Sequence, residues 1–242
     1  MPEISRRSFL WNAGALNAAL LLGACSSTGG EGGAPALALA AQIPAVVPEG
    51  VDPEYAHIYG SVEGEKFPVP AVDLAKVNTA FLRKVVPYST SEPPGTIVVD
   101  PAAHYLYFVE ADGMATRYGV GVGKQGFEWN GDAEIHSKQE WPDWYPPAEM
   151  IARRPDLKPQ LTDLQSGVGM PGGPRNPIGA RGLYLWQGNK DTLFRIHGTI
   201  EPNTIGQSVS SGCIRMINQD VIHLYARVPV GTKVRVLSAK TV

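Results

Sequence analysis

The 242-residue chain contains only two cysteines, Cys25 and Cys213. A disulfide framework therefore has at most one bridge to work with, and no Cys-x-x-Cys or His-x-x-x-His spacing offers a metal a ligand set. Charged side chains make up 18% of the residues and the net charge is −2. The longest basic cluster of note is Arg153-Arg154, too short to track a phosphate backbone, so nucleic acid is excluded as a partner. No glycine-rich loop joins a strand to a helix, which argues against a nucleotide cofactor. Metal and cofactor are both expected to be absent. What the chain has in quantity is glycine, 27 residues, and proline, 21, the punctuation of short strands and turns.

The N-terminus is an address. Ser5-Arg6-Arg7-Ser8-Phe9-Leu10 has the pattern of a twin-arginine export signal, and the apolar stretch after it is interrupted by Asn12 and Asn17. Only 17 residues separate Arg7 from Cys25, a poor membrane span. Leu22-Gly23-Ala24-Cys25 resembles a bacterial lipobox, in which cleavage before the cysteine leaves it as the lipid-bearing first residue. Ser26 follows in place of an aspartate retention signal, which favours outer-membrane over inner-membrane sorting within the periplasm. The alternative is cleavage by the general signal peptidase near Ala36–Ala41. If Cys25 carries lipid, Cys213 is the sole thiol of the mature protein. An unpaired thiol in an oxidising compartment points to reactivity more than to packing.

Composition then divides the chain into residues 1–25 as signal peptide with lipobox, 26–50 as a flexible Gly/Ala/Ser/Pro tether, 51–94 as a lead-in with a short helix, and 95–237 as the main, strand-rich domain. Strand signals run through Thr96–Val99, Tyr105–Glu110 and Met114–Val122, the last two forming a hairpin about Ala111-Asp112-Gly113. Leu183–Trp186 and Leu193–Ile196 read as a second pair around Gln187-Gly188-Asn189. One late helix is expected with Asn218 as its cap and Val221, Leu224, Tyr225 and Val228 on its buried face. Thr232–Leu237 closes the domain as a strand. Between Gly123 and Ala180 lies a long Pro/Trp-rich loop with eight prolines and three of the five tryptophans, either a groove wall or a stiff surface excursion. Of the remaining histidines, His104 is placed in a strand, His223 in the late helix, His57 in the lead-in and His136 in the long loop.

The chemistry concentrates in His197-Gly198-Thr199 and, 16 residues on, Ser210-Ser211-Gly212-Cys213-Ile214-Arg215-Met216. A cysteine reacts as thiolate, and a nearby imidazole is the usual way to make one. His197 supplies that imidazole. Gly212 permits a tight turn, so the backbone N–H groups of Ser211, Gly212 and Cys213 are candidates for an oxyanion hole. Arg215, two residues past the cysteine, shares its face in an extended segment and suits a carboxylate; a structural ion pair is the alternative. Ser210 stands beside it as a substrate-binding candidate whose hydroxyl also suits the turn. No aspartate near His197 presents itself as orienter, and Asn203 is one alternative by position.

These two segments resemble the signature of the L,D-transpeptidase (YkuD-type) catalytic domain family, a histidine followed by Ser-x-Gly-Cys with Arg or Asn after it. The likeness extends through Gly95–Asp100 and Asn176-Pro177-Ile178-Gly179, covering about residues 95–237. Many members carry a second histidine where Ser211 stands. The resemblance implies a mainly β, β-sandwich-like fold with one late α-helix. It also implies that the Gly198 backbone carbonyl orients His197. The implied reaction begins when Cys213 attacks the third residue of a peptidoglycan stem peptide, releasing D-alanine and forming a thioester. The acyl group then passes to an amine of a second stem or of an outer-membrane protein. Hydrolysis of the same thioester, as in an L,D-carboxypeptidase or amidase, is the alternative enzyme. A lipid-anchored wall-binding module without turnover is the alternative outside enzymology, and the intact His197 and Cys213 speak against it.

Overall fold

A computed structural model describes residues 42–124, 129–210 and 212–238; the export signal, Cys25, most of the tether and Ser211 lie outside the described residues. In chain order the elements are α1 (Tyr55–Ile58), β1 (Lys84–Pro87), β2 (Ile97–Asp100), β3 (Tyr105–Val109), β4 (Met114–Gly119), β5 (Val122–Gly123), β6 (Gly131–Glu140), α2 (Ala148–Arg153), β7 (Thr162–Leu164), β8 (Gly167–Gly169), β9 (Arg181–Gln187), β10 (Lys190–His197), β11 (Ser208–Ser210), β12 (Ile214–Arg215), α3 (Asn218–Arg227) and β13 (Lys233–Val236). The fold is mainly β, as expected.

Nine strands form one sheet in the order β1-β4-β3-β2-β13-β6-β9-β10-β12. The predicted hairpin is β3–β4, and Asp112 and Gly113 take positive φ at its tip, the conformation a short hairpin loop requires. The end of the sheet that begins with β1 and β4 comes round to the other: Gly121, just past β4, exchanges both backbone hydrogen bonds with Arg215 of β12 at 2.9 and 2.8 Å. The curled sheet encloses a core of Ile97, Leu106 and Tyr118 from one half and Ile135, Leu183, Leu185 and Ile196 from the other, with Val221 and Leu224 of α3 packed on it. At 25 cal/mol per Å² such fully buried aliphatic side chains each contribute about 1.5–3 kcal/mol.

Three expectations are corrected. The stretch between Gly123 and Ala180 is not one long loop, because it contains β6, ten residues between β13 and β9 in the middle of the sheet. Only Ile135 of that strand is buried, so its place rests on backbone pairing to both sides, and the apolar alternation that marks a strand in sequence is missing. His136 therefore lies on β6. His104 is in the turn before β3 at φ 58, its ring 3.0 Å from Ser208 Oγ. Asn218 is the first residue of α3 but caps nothing: Ile217 is the capping position and no side chain bonds the helix start.

The lead-in, residues 51–94, lies wholly within the described residues. It holds α1, two 3₁₀ turns and β1, and its Tyr59, Leu74 and Leu82 form a second core with Ile205 and Ile217. It is built into the same body as the catalytic segment. The contact is sealed by Glu65, which accepts two hydrogen bonds from the Arg181 guanidinium at 2.7 and 2.6 Å and one from Trp141 Nε1 at 3.0 Å.

Candidate active site

β10 ends at His197 and β12 starts one residue after Cys213. The two strands pair in parallel, with Ile196 opposite Ile214 and His197 opposite Arg215. This pairing sets residues 18 positions apart in the chain side by side, and the Met216 N–H to His197 carbonyl bond at 2.8 Å extends it.

Ahead of the cysteine the turn is closed by one hydroxyl. Ser210, buried at 3% exposure, donates from Oγ to the Cys213 carbonyl at 2.7 Å and accepts the Gly212 N–H at 3.1 Å. Gly212 sits at φ 123, a conformation that side chains resist. Two assignments change as a result. The Ser210 hydroxyl is occupied in shaping the turn, so substrate binding is not its work. The Gly212 N–H is already engaged, so of the three expected oxyanion donors the Cys213 N–H is the one still open among the described residues; Ser211 lies outside them.

His197 is buried and its Nδ1 donates to the Gly198 carbonyl at 2.6 Å. A carbonyl only accepts, so this bond places the proton of a neutral ring on Nδ1 and leaves Nε2 as the base. Burial lowers the pKa of His197 to about 4; the Gly198 and Ile178 carbonyls pull it upward and the Arg215 and Arg195 cations push it further down. Asn203 is exposed on a 3₁₀ turn and bonds through its own carbonyl to Gln207, so it does not orient the imidazole.

Cys213 is a free, half-buried thiol. Packing around the sulfur raises its pKa, against the Arg195 backbone N–H and the Arg195 and Arg215 guanidinium groups, which favour the thiolate. Burial thus favours the uncharged form of each group. Arg195 itself is committed to Asp191, with two bonds at 2.7 and 2.8 Å. Arg215 is held more loosely, by a 3.4 Å bond to the exposed Glu201. Among the described residues no group of three or more His, Cys, Asp or Glu side chains is placed to hold a metal ion.

Two asparagines hold places that the sequence did not assign to them. Asn176 is almost wholly buried; its Nδ2 lies 3.0–3.1 Å from the carbonyls of Pro142, Met170 and Pro171, and its Oδ1 accepts the Ile178 N–H at 2.9 Å. It ties the Pro/Trp-rich excursion to the turn before β9. Asn218 Oδ1 accepts the Ala180 N–H at 3.0 Å. The sequence signal for the first was the Asn-Pro pair itself; for the second there was none beyond the wrong one, a helix cap.

Comparison with known proteins adds the following. The family model described as L,D-transpeptidase catalytic domain, YkuD, matches residues 94–236. The probable L,D-transpeptidase ErfK/SrfK of Escherichia coli K12 is 34% identical over 147 residues, 58% of this chain and 43% of that protein. The probable L,D-transpeptidase YbiS of the same strain is 32% identical over 142 residues, 57% and 43%. The matched region thus spans less than half the length of these curated relatives. A crystal structure from Brucella melitensis, described as a probable carnitine operon oxidoreductase, is 50% identical, covers 68% of this chain and 99% of that one, and superposes with a TM-score of 0.44.

Proposed function

Since this chain belongs to the YkuD family of L,D-transpeptidase catalytic domains, we propose that it is a peptidoglycan L,D-transpeptidase with Cys213 as acyl-accepting nucleophile and His197 as its base. The observation that carries the reading is the bond from His197 Nδ1 to the Gly198 carbonyl, made on the strand that pairs with the residues directly after Cys213. It leaves Nε2 able to take a proton.

In the forward half-reaction the thiol sulfur bonds to the carbonyl carbon of the third stem residue while its proton passes to Nε2. The tetrahedral oxyanion is met by the Cys213 N–H. The carbon–nitrogen bond to D-alanine then breaks, and His197 returns the proton to the leaving amine. In the second half an amine of another stem, or of an outer-membrane protein, adds to the thioester and gives its proton to His197. The thiolate leaves and is reprotonated. One amide is exchanged for another, so no nucleotide is consumed. Arg215, with only its long bond to Glu201, is free to hold a stem carboxylate.

Incubating the soluble domain with purified muropeptides and reading product masses tests this. Cross-linked dimers with loss of D-alanine are expected, absent in Cys213→Ala. Trimmed monomers alone would make the enzyme a hydrolase, and full activity in the variant would remove the cysteine from its role.

The setting of this chemistry is part of the same proposal. Ser5–Leu10 and Leu22–Cys25 support twin-arginine export to the periplasm and a lipid anchor on Cys25. Cys25→Ser should release the protein from the membrane fraction; a mature N-terminus near Ala41 in the wild type would overturn the anchor.

A further inference from the structure

We propose that Asn218 is a positioning residue for His197, acting through the backbone of Gly179-Ala180 and Gly198. The inference rests on the assignment of His197 as base. That assignment needs one tautomer and one ring orientation, and both depend on where the Gly198 carbonyl points. A glycine peptide has wide freedom to rotate, so something outside the residue must hold it.

On one side Gly198 is held by its N–H, which donates to the Arg181 carbonyl at 3.1 Å. On the other side stands the Asn218 amide. A Cβ placed on Gly198 would overlap Asn218 Oδ1, and so would one placed on Gly179. A Cβ on Gly179 would also come within 2.8 Å of Gly198 C and Thr199 N. The amide is therefore wedged where two backbone segments meet with no side chain between them, and it is bonded there by the Ala180 N–H at 3.0 Å. It does nothing for its own helix, whose start has no side-chain cap.

Removing the amide orphans the Ala180 N–H and opens space against Gly198. The 198–199 peptide is then free to turn, and Nδ1 loses its acceptor. A side chain needed only for packing would affect stability alone. A positioning residue changes what happens in the transition state, so the loss falls on kcat while substrate binding is kept.

The test uses Asn218→Leu, which keeps the bulk without the acceptor. It also uses Asn218→Ser, which suits a helix start but is too short to reach Ala180, and Asn218→Asp, which keeps an acceptor oxygen. D-alanine release from a stem peptide is followed against pH. Leu and Ser variants should lose about 10²-fold in kcat with KM within a few-fold, the scale of an ångström-sized misplacement. Their acid limb should move below its wild-type position near pH 4, because the Gly198 carbonyl that pulls the His197 pKa upward is no longer aimed at Nδ1. Asn218→Asp should stay within a few-fold of wild type at neutral pH. The proposal is overturned if the folded Leu or Ser protein keeps wild-type kcat and an unmoved acid limb, or if Asp is as impaired as Leu. His197→Ala run alongside separates the two levels: no loss in that variant condemns the base itself, whereas a loss there with intact Asn218 variants condemns only the positioning role.

Discussion

At the scale of single residues the notable fact is that burial works against charge on both reacting groups. His197 has its pKa lowered to about 4 and Cys213 has its thiol pKa raised. In the proposed reaction the proton would then move during attack, when the substrate has displaced water, instead of being stored in an ion pair beforehand. The active form of the imidazole is the neutral one, so a lowered pKa extends activity toward acid. We expect kcat/KM for D-alanine release to hold down to about pH 5 and to fall as pH approaches 4; an acid limb centred near 6.5 would contradict the buried, carbonyl-held ring. His197→Ala should cost about 10²–10⁴-fold, the range of a positioned acid–base group.

At the scale of elements, the lead-in and the sheet are joined by a charge pair that sequence gave no reason to suspect. Glu65 and Arg181 side chains are 12% and 7% exposed, and the Arg181 carbonyl is also the acceptor for the Gly198 N–H. Glu65→Ala would leave a buried guanidinium with the Ala180 carbonyl at 2.9 Å and, as its one remaining anion among the described residues, the exposed Glu140 at 3.9 Å. We predict a loss of about 3–5 kcal/mol in urea unfolding. Replacing both members, as Glu65→Leu with Arg181→Met, should recover most of it, since the cost lies in the uncompensated charge and not in the missing pair. A single variant as stable as wild type would show that the latch is solvated. The same scale explains why β6 escaped notice. Its backbone is satisfied by β13 and β9 on either side, and Lys138 caps the end of α3 by donating to the Tyr225 and Val228 carbonyls at 2.7 Å each. Neither feature leaves a period in the sequence.

Over the whole molecule, three buried or half-buried groups set how stability follows pH. His197 and His223 each have folded pKa values of about 4, both lowered chiefly by burial. Unfolded, they bind protons near 6.5. Their contribution is whole above that value and is lost as pH falls toward 4, at about 1.4 kcal/mol per pH unit for fully buried His197 and less for half-buried His223. Asp220 has the opposite sign. Burial raises its pKa to about 7, against the Arg83 cation and the Tyr59 hydroxyl bond at 3.0 Å. Its contribution is whole below the unfolded value near 3.9 and is lost as pH rises through 7. Between pH 4.5 and 6 it offsets one histidine, so wild-type stability should still rise with pH, by the smaller contribution of half-buried His223. Asp220→Asn should make stability rise with pH more steeply by about 1.4 kcal/mol per unit. Equal slopes in urea midpoints of the two proteins would show that Asp220 is ionised in the fold.

The sequence by itself determined the chemistry and the local geometry. A histidine and a cysteine flanked by glycines, the alternation in Tyr105–Val109 and Thr232–Leu237, and the apolar face of α3 are all properties of neighbours along the chain, where side-chain period and turn residues suffice. The tertiary structure decided everything that depends on which segments meet. It set the register that puts His197 beside Arg215 and laid a polar strand through the middle of the sheet. It also took Asn218 from its expected cap and put it against Gly198. These rest on backbone partners and close approaches between residues tens of positions apart, and no local pattern encodes the identity of a distant carbonyl.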